Sequence, residues 1–131
     1  MYQTKDELIL SYGAFFHYTD PGNMEAILQE GLQPQQTDTL TPKSRKLICV
    51  APAGQINKWK DQMSSKNPAL IRIAAEDIIS KEYGIDHTFD GWETASEMGE
   101  VEGLRYMIEH HSTLAVFEPI PPDQLTEVPH V

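Results

Sequence analysis

Residues 15–32, FFHYTDPGNMEAILQEGL, decide how this chain is read. The segment from Gly13 to Thr19 (GAFFHYT) is rich in aromatic residues and predicts a strand. Asp20-Pro21 then predicts a helix start. The Asp20 carboxylate is suited to accept an orphan backbone N–H, and proline fits the first helical position, where its missing donor costs nothing. Met24, Ile27 and Leu28 form an apolar stripe at helical spacing. Gly31 fits the left-handed position that ends a helix. His17 falls at the end of the strand, a place where binding and catalytic groups are often mounted.

The rest of the chain is patterned in short alternating pieces. Leu32 to Lys46 is polar, with three Gln, four Thr or Ser and two Pro, and predicts a long loop that flaps over a site. Lys46–Ala51 predicts a buried strand and Ala53–Met63 a helix with Ile56, Trp59 and Met63 on one face. Ala69–Ala74 predicts a strand, Glu76–Glu82 a short helix, and Tyr83–Gly99 an irregular acidic stretch. Val101, Leu104 and Ile108 space a helix that runs to His110. Thr113–Glu118 predicts a strand, and Gln124–Val128 a last short one. The class expected is α+β: a small mixed or split β-sheet with flanking helices. At 131 residues the chain fits one domain, residues 1–131.

Composition narrows the function. Hydrophobic content of 40% and charged content of 23% suit a globular protein, and apolar runs of about five residues are too short for a membrane span. The single cysteine, Cys49, excludes an internal disulfide and reads as a buried, inert thiol in an apolar strand. The start has no signal-peptide core, so a cytoplasmic setting is expected, although an effector delivered by a dedicated non-Sec secretion machine would look the same. The net charge of −10 argues against nonspecific nucleic-acid binding. Six of the ten Lys and Arg lie between Lys43 and Lys66, whereas Asp86, Asp90, Glu93, Glu97, Glu100 and Glu102 follow one another without a cation. That run reads either as a solvated loop or as a docking face for a basic protein.

Phosphate-binding glycine loops, GxSxG, HExxH and CxxC are all absent. Asp86-His87 with Asp90, and Glu109-His110-His111, lack a familiar metal-ligand spacing, so no metal is expected. His110 and His111 suit a helix end, where they meet the dipole and solvent. Trp59 fits a core stripe. Trp92 reads equally as a pocket wall and as core packing.

The segment Phe15–Leu32 resembles the first motif of the ADP-ribosyltransferase-like fold. That motif is a strand ending in His-x-Thr or His-Tyr-Thr, then a helix reading "IL..GL.P", here Ile27, Leu28, Gly31, Leu32 and Pro34. DarT-like toxins, polymorphic-toxin transferases of the His-Tyr type and RNA 2′-phosphotransferases share it. The order of later elements is similar too: a strand and helix over Ile48–Met63, a "P.lI.I" strand over Pro68–Ile73, and a late strand followed by Ile120-Pro121-Pro122. The resemblance implies a cleft that binds NAD as substrate, with His17, Tyr18 and Thr19 as the cofactor-binding residues and His17 on a ribose. It implies loss of nicotinamide, a ribose cation steadied by a carboxylate, and transfer to a protein or nucleic acid by a toxin or effector. The family's third motif places Glu at the start of the late strand, where this chain has Ser112-Thr113. The nearest carboxylates are Glu118 and Glu100, and Glu118 is expected to matter more because a strand end is the firmer mount. Two other readings stay open: a nucleotide-binding member of the fold without catalysis, and an acidic inhibitor or immunity module.

Overall fold

A computed structural model of the chain describes residues 2–35, 45–60 and 68–128, with no side-chain placement at 58–60. Helix α1 (Lys5–Ser11) leads into strand β1 (Ala14–Thr19), a 3-10 turn (Pro21–Asn23) and helix α2 (Met24–Glu30). Strand β2 (Ile48–Pro52), helix α3 (Ala53–Lys60), strand β3 (Ala69–Ala74) and helix α4 (Ala75–Ile79) follow. Then come the two-residue strand β4 (Tyr83–Gly84), helices α5 (Trp92–Glu97) and α6 (Glu100–His111), strand β5 (Leu114–Val116), a second 3-10 turn (Pro122–Gln124) and strand β6 (Leu125–Val128). The class is α+β.

The strands form one sheet in the order β4-β5-β2-β1-β3-β6, and every pairing is antiparallel. The expectation of a mixed or split sheet is corrected by this topology: the sheet is single and antiparallel throughout. β2 and β3 run the same way but flank β1, so helix α3 connects parallel strands that are not neighbours. The sheet is also uneven. β1 pairs with β3 over six residues, from Ala14↔Ala74 to Thr19↔Ala69. It pairs with β2 only at Phe15↔Pro52 and Phe16↔Ala51. The register ends there, and His17 is the first residue beyond it.

The core joins Phe15, Val50, Ile71, Ile73, Leu114 and Val116 of the sheet to Leu8 and Ile9 of α1, Ile78 of α4, and Leu104 and Ile108 of α6. α1 lay outside the sequence expectation. It is capped by Thr4, whose Oγ1 accepts the Glu7 N–H at 3.2 Å, and packs against α4 and α6. The Tyr83 hydroxyl donates to Asp6 and the Lys5 ammonium lies 4.6 Å from the Tyr83 ring, so α1 is also tied to β4. The stretch 83–99, expected to be irregular, holds β4 and α5. α5 has six residues with only Ala95 buried, too short to write a periodic pattern.

The start of α2 differs in detail from its sequence reading. Asp20 stands at the cap position and Pro21 follows, but the Asp20 side chain makes no capping bond; the Asn23 N–H bonds the Asp20 carbonyl at 2.9 Å. The first turn is therefore 3-10, and the carboxylate is not needed by it. The stripe narrows to Met24 and Ile27, because Leu28 is 45% exposed. Gly31 has the positive φ expected, 83°, but its ψ of −178° lies outside the left-handed helical well, in a region open essentially to glycine alone. The expected flap falls mainly on residues 36–44, and Met63 on 61–67, both outside the described residues.

Candidate functional site

Where β1 and β2 part, a cavity of about 610 Å³ opens. Its walls are the end of β1, helix α2, the turn after it and the start of β2. Side-chain alternation sets Phe15, His17 and Thr19 on one face of β1. Phe15 is buried in the core; His17 and Thr19 line the cavity. Tyr18 points to the other face and does not line it. α2 adds Asn23, Ile27 and Glu30. The far side is held by two short bridges: Leu32 and Ile120 exchange N–H···O bonds at 2.9 Å, and Gln35 and Leu47 do so at 2.9 and 3.0 Å.

His17 is fixed in one protonation pattern. Its Nδ1 lies 2.8 Å from the Cys49 carbonyl oxygen. A carbonyl only accepts, so Nδ1 carries the proton. Burial lowers the imidazole below its usual pKa, and the Cys49 bond, which favours the charged form, does not overcome it. The ring is thus neutral near pH 7, and Nε2 is left as an acceptor for a hydroxyl donor in the cavity.

Behind Cys49 runs a buried polar chain. The Cys49 Sγ is 3.0 Å from Thr113 Oγ1, and Thr113 Oγ1 donates to Asp86 Oδ2 at 3.1 Å. Asp86 Oδ1 accepts from the Thr88 N–H at 2.8 Å and from the Thr88 hydroxyl. Burial pushes the Cys49 thiol up to about 12, opposed by the Thr113 hydrogen bond and assisted by the Asp86 charge. The thiol is a proton-holding donor, in line with an inert cysteine. Asp86 itself is 1% exposed. It is therefore no part of a solvated acidic loop or a docking face, unlike the exposed Asp90, Glu93, Glu97, Glu100 and Glu102.

The two candidate catalytic carboxylates stand apart from the cavity at His17. β5 ends at Val116 and is buried on both faces, so alternation does not single out a functional face for Glu118. Glu118 is exposed and accepts the Glu82 backbone N–H. Glu82 in turn meets Arg45 in a two-pronged pair at 2.7 and 3.0 Å, and the Arg45 guanidinium covers Phe117 at 4.2 Å. Glu100 opens α6 and lines a separate hollow with Tyr2 and Lys5. Among the described residues, Glu30 is the one carboxylate that lines the cavity with His17. Sequence reasoning passed over it. Its signal was its place, since an acid in the last turn before Gly31 faces free helix carbonyls and is ill-suited there electrostatically.

Trp92 contacts the His87 ring at 5.2 Å and does not line the cavity. His110 and His111 occupy the last turn of α6 against Tyr106, at 4.8 and 5.4 Å. Among the described residues no three His, Cys, Asp or Glu side chains are grouped to hold a metal, and no helix is long and apolar enough to cross a membrane. No protein-family model matches the chain, and no curated protein matches it significantly in sequence.

Proposed function

We propose that the cavity at His17 binds NAD and that the protein is an ADP-ribosyltransferase-like effector or toxin acting on a protein or nucleic acid. The observation that carries this reading is the neutral His17, with Nδ1–H committed to the Cys49 carbonyl and Nε2 left to accept, next to Thr19 in a cavity of about 610 Å³. A ribose hydroxyl is a donor of the right kind for Nε2. The volume is within the roughly 300–1,000 Å³ common for small-molecule sites. The resemblance of Phe15–Leu32 to the family's first motif supports the same assignment.

In the reaction, the bond between nicotinamide nitrogen and ribose C1′ breaks, and nicotinamide leaves with the electron pair. The ribose is left as an oxocarbenium-like cation. A nucleophile on the target attacks C1′ and loses its proton. Glu30 is the carboxylate best placed to steady that cation, ahead of Glu118 and Glu100. The acidic surface favours a basic protein as the acceptor or partner.

Binding without transfer is the second reading. It is favoured by one observation: neither Glu118 nor Glu100 lines the cavity, and Glu30 is exposed on a helix end. Nicotinamide release separates the two. Release from NAD by the wild-type protein, lowered at least about tenfold in Glu30→Gln and less than about threefold in Glu118→Gln and Glu100→Gln, supports transfer with Glu30 in this role. NAD binding with no release supports the second reading.

A further inference from the structure

The buried carboxylate of Asp86 is not explained by packing. A carboxylate that is 1% exposed is stabilised only by its hydrogen bonds, and an apolar side chain of similar size often serves stability as well or better. Three donors converge on Asp86, two from Thr88 and one from Thr113. A carboxylate accepts from all of them, which fixes the direction of the chain beyond. The single Thr113 hydroxyl proton goes to Asp86, so the Thr113 oxygen is left to accept from the Cys49 thiol. Thr113 is aimed inward by Ser112, whose φ of 56° turns the chain sharply at the end of α6.

Cys49 is flanked by a paired strand on one side only, that of β5. The β1–β2 register ends at Phe16↔Ala51, two residues before it. What keeps Cys49 in place is its pairing with Ala115 on the far side and the contact of its sulfur with Thr113. Its carbonyl is the group that receives His17 Nδ1–H.

We infer that Asp86 is a positioning residue for His17: through Thr113 and Cys49 it sets the carbonyl that keeps the imidazole proton on Nδ1 and presents Nε2 as an acceptor to the cavity. Asp86 does not touch a ligand. Its effect is to define what His17 accepts, a hydroxyl donor. The consequence for NAD rests on the proposed function; the tautomer does not.

The test is ring ¹⁵N chemical shifts of His17 in the ligand-free protein at pH 7.5, assigned by loss of the signal in His17→Gln. The wild type is expected to show one tautomer, protonated on Nδ1. In Asp86→Asn the amide N–H₂ faces the Thr113 hydroxyl and turns it around. Thr113→Val and Cys49→Ala remove the link outright. Each of the three is expected to raise the second tautomer to about a tenth of the population or more. Cys49→Ser, which keeps a donor, should restore the wild-type pattern. The same variants are expected to bind NAD about threefold more weakly or worse. Wild-type tautomers in the folded members of the set overturn the inference, and Cys49→Ala decides if the two buried polar variants fail to fold. Absence of NAD binding by the wild type, with the tautomer shifts present, removes the functional reading and leaves the positioning role standing.

Discussion

Replacing Gly31 by alanine strikes the corner that shapes the cavity. Gly31 combines φ 83° with ψ −178°, a region essentially reserved for glycine, where another residue costs about 1–3 kcal/mol. A Cβ there would also collide with the backbone carbonyl oxygen of Ile120, which has no flexible side-chain end to yield. That carbonyl receives the Leu32 N–H, so relief would break the Leu32–Ile120 bridge. Overpacking of this kind adds roughly another 1–3 kcal/mol. A protein of this length loses about 3–4 °C in Tm for each kcal/mol. The expected drop is therefore about 6–24 °C for Gly31→Ala, read by thermal denaturation. Gly54→Ala is the control: a Cβ there meets nothing within 4 Å, it lies in α3, and alanine should be neutral or slightly stabilising. A Gly31→Ala protein melting within about 2 °C of wild type would refute both the backbone conformation and the close approach to Ile120.

Further expectations concern the site. Because His17 is depressed by burial, its contribution to stability is full above about pH 6.5 and is lost as pH falls through the lower folded value. Tm against pH should fall less steeply below 6.5 in His17→Gln than in wild type; parallel curves would contradict a desolvated, neutral imidazole. Cys49, pushed up to about 12, should alkylate with iodoacetamide at pH 8 about a thousandfold more slowly in the folded protein than in urea. Equal rates would place the thiolate in solvent. Glu118→Gln removes charge from an exposed side chain whose visible task is to accept the Glu82 N–H, so melting should shift by no more than about 3 °C and NAD affinity should be unchanged.

The strand–turn–helix from Ala14 to Gly31 was legible because each signal was local: a run of aromatic residues, an Asp-Pro start, a glycine stop. β3 was legible for the same reason. α1 was not, since its two buried residues, Leu8 and Ile9, gain their meaning from α4 and α6 far along the chain. Asp86 shows the same limit from the other side. Six acids in a run read as one charged stretch, and only the fold reveals that one of them turns inward to Thr88 and Thr113. His17 reads in sequence as a strand-end residue, but it lies inside β1 opposite Ile71 of β3, and only its pairing with β2 has ended; its tautomer depends on a carbonyl 32 residues away. Glu30 belongs to no motif, because motif order runs along the chain whereas the cavity gathers residues by proximity.

The most direct test of the central claim is a titration of the protein with NAD, followed by Tm in wild type and His17→Ala. Ligand at ten times Kd stabilises by about 1.4 kcal/mol, so wild type should gain about 5 °C. Loss of one hydrogen bond to a ribose hydroxyl should weaken binding about two- to tenfold in His17→Ala, and loss of the bond to the Cys49 carbonyl should lower its ligand-free Tm by about 2–5 °C, so each protein's shift is read from its own ligand-free value. A wild-type Tm that does not move at millimolar NAD, or an identical titration curve for His17→Ala, contradicts NAD binding at this cavity.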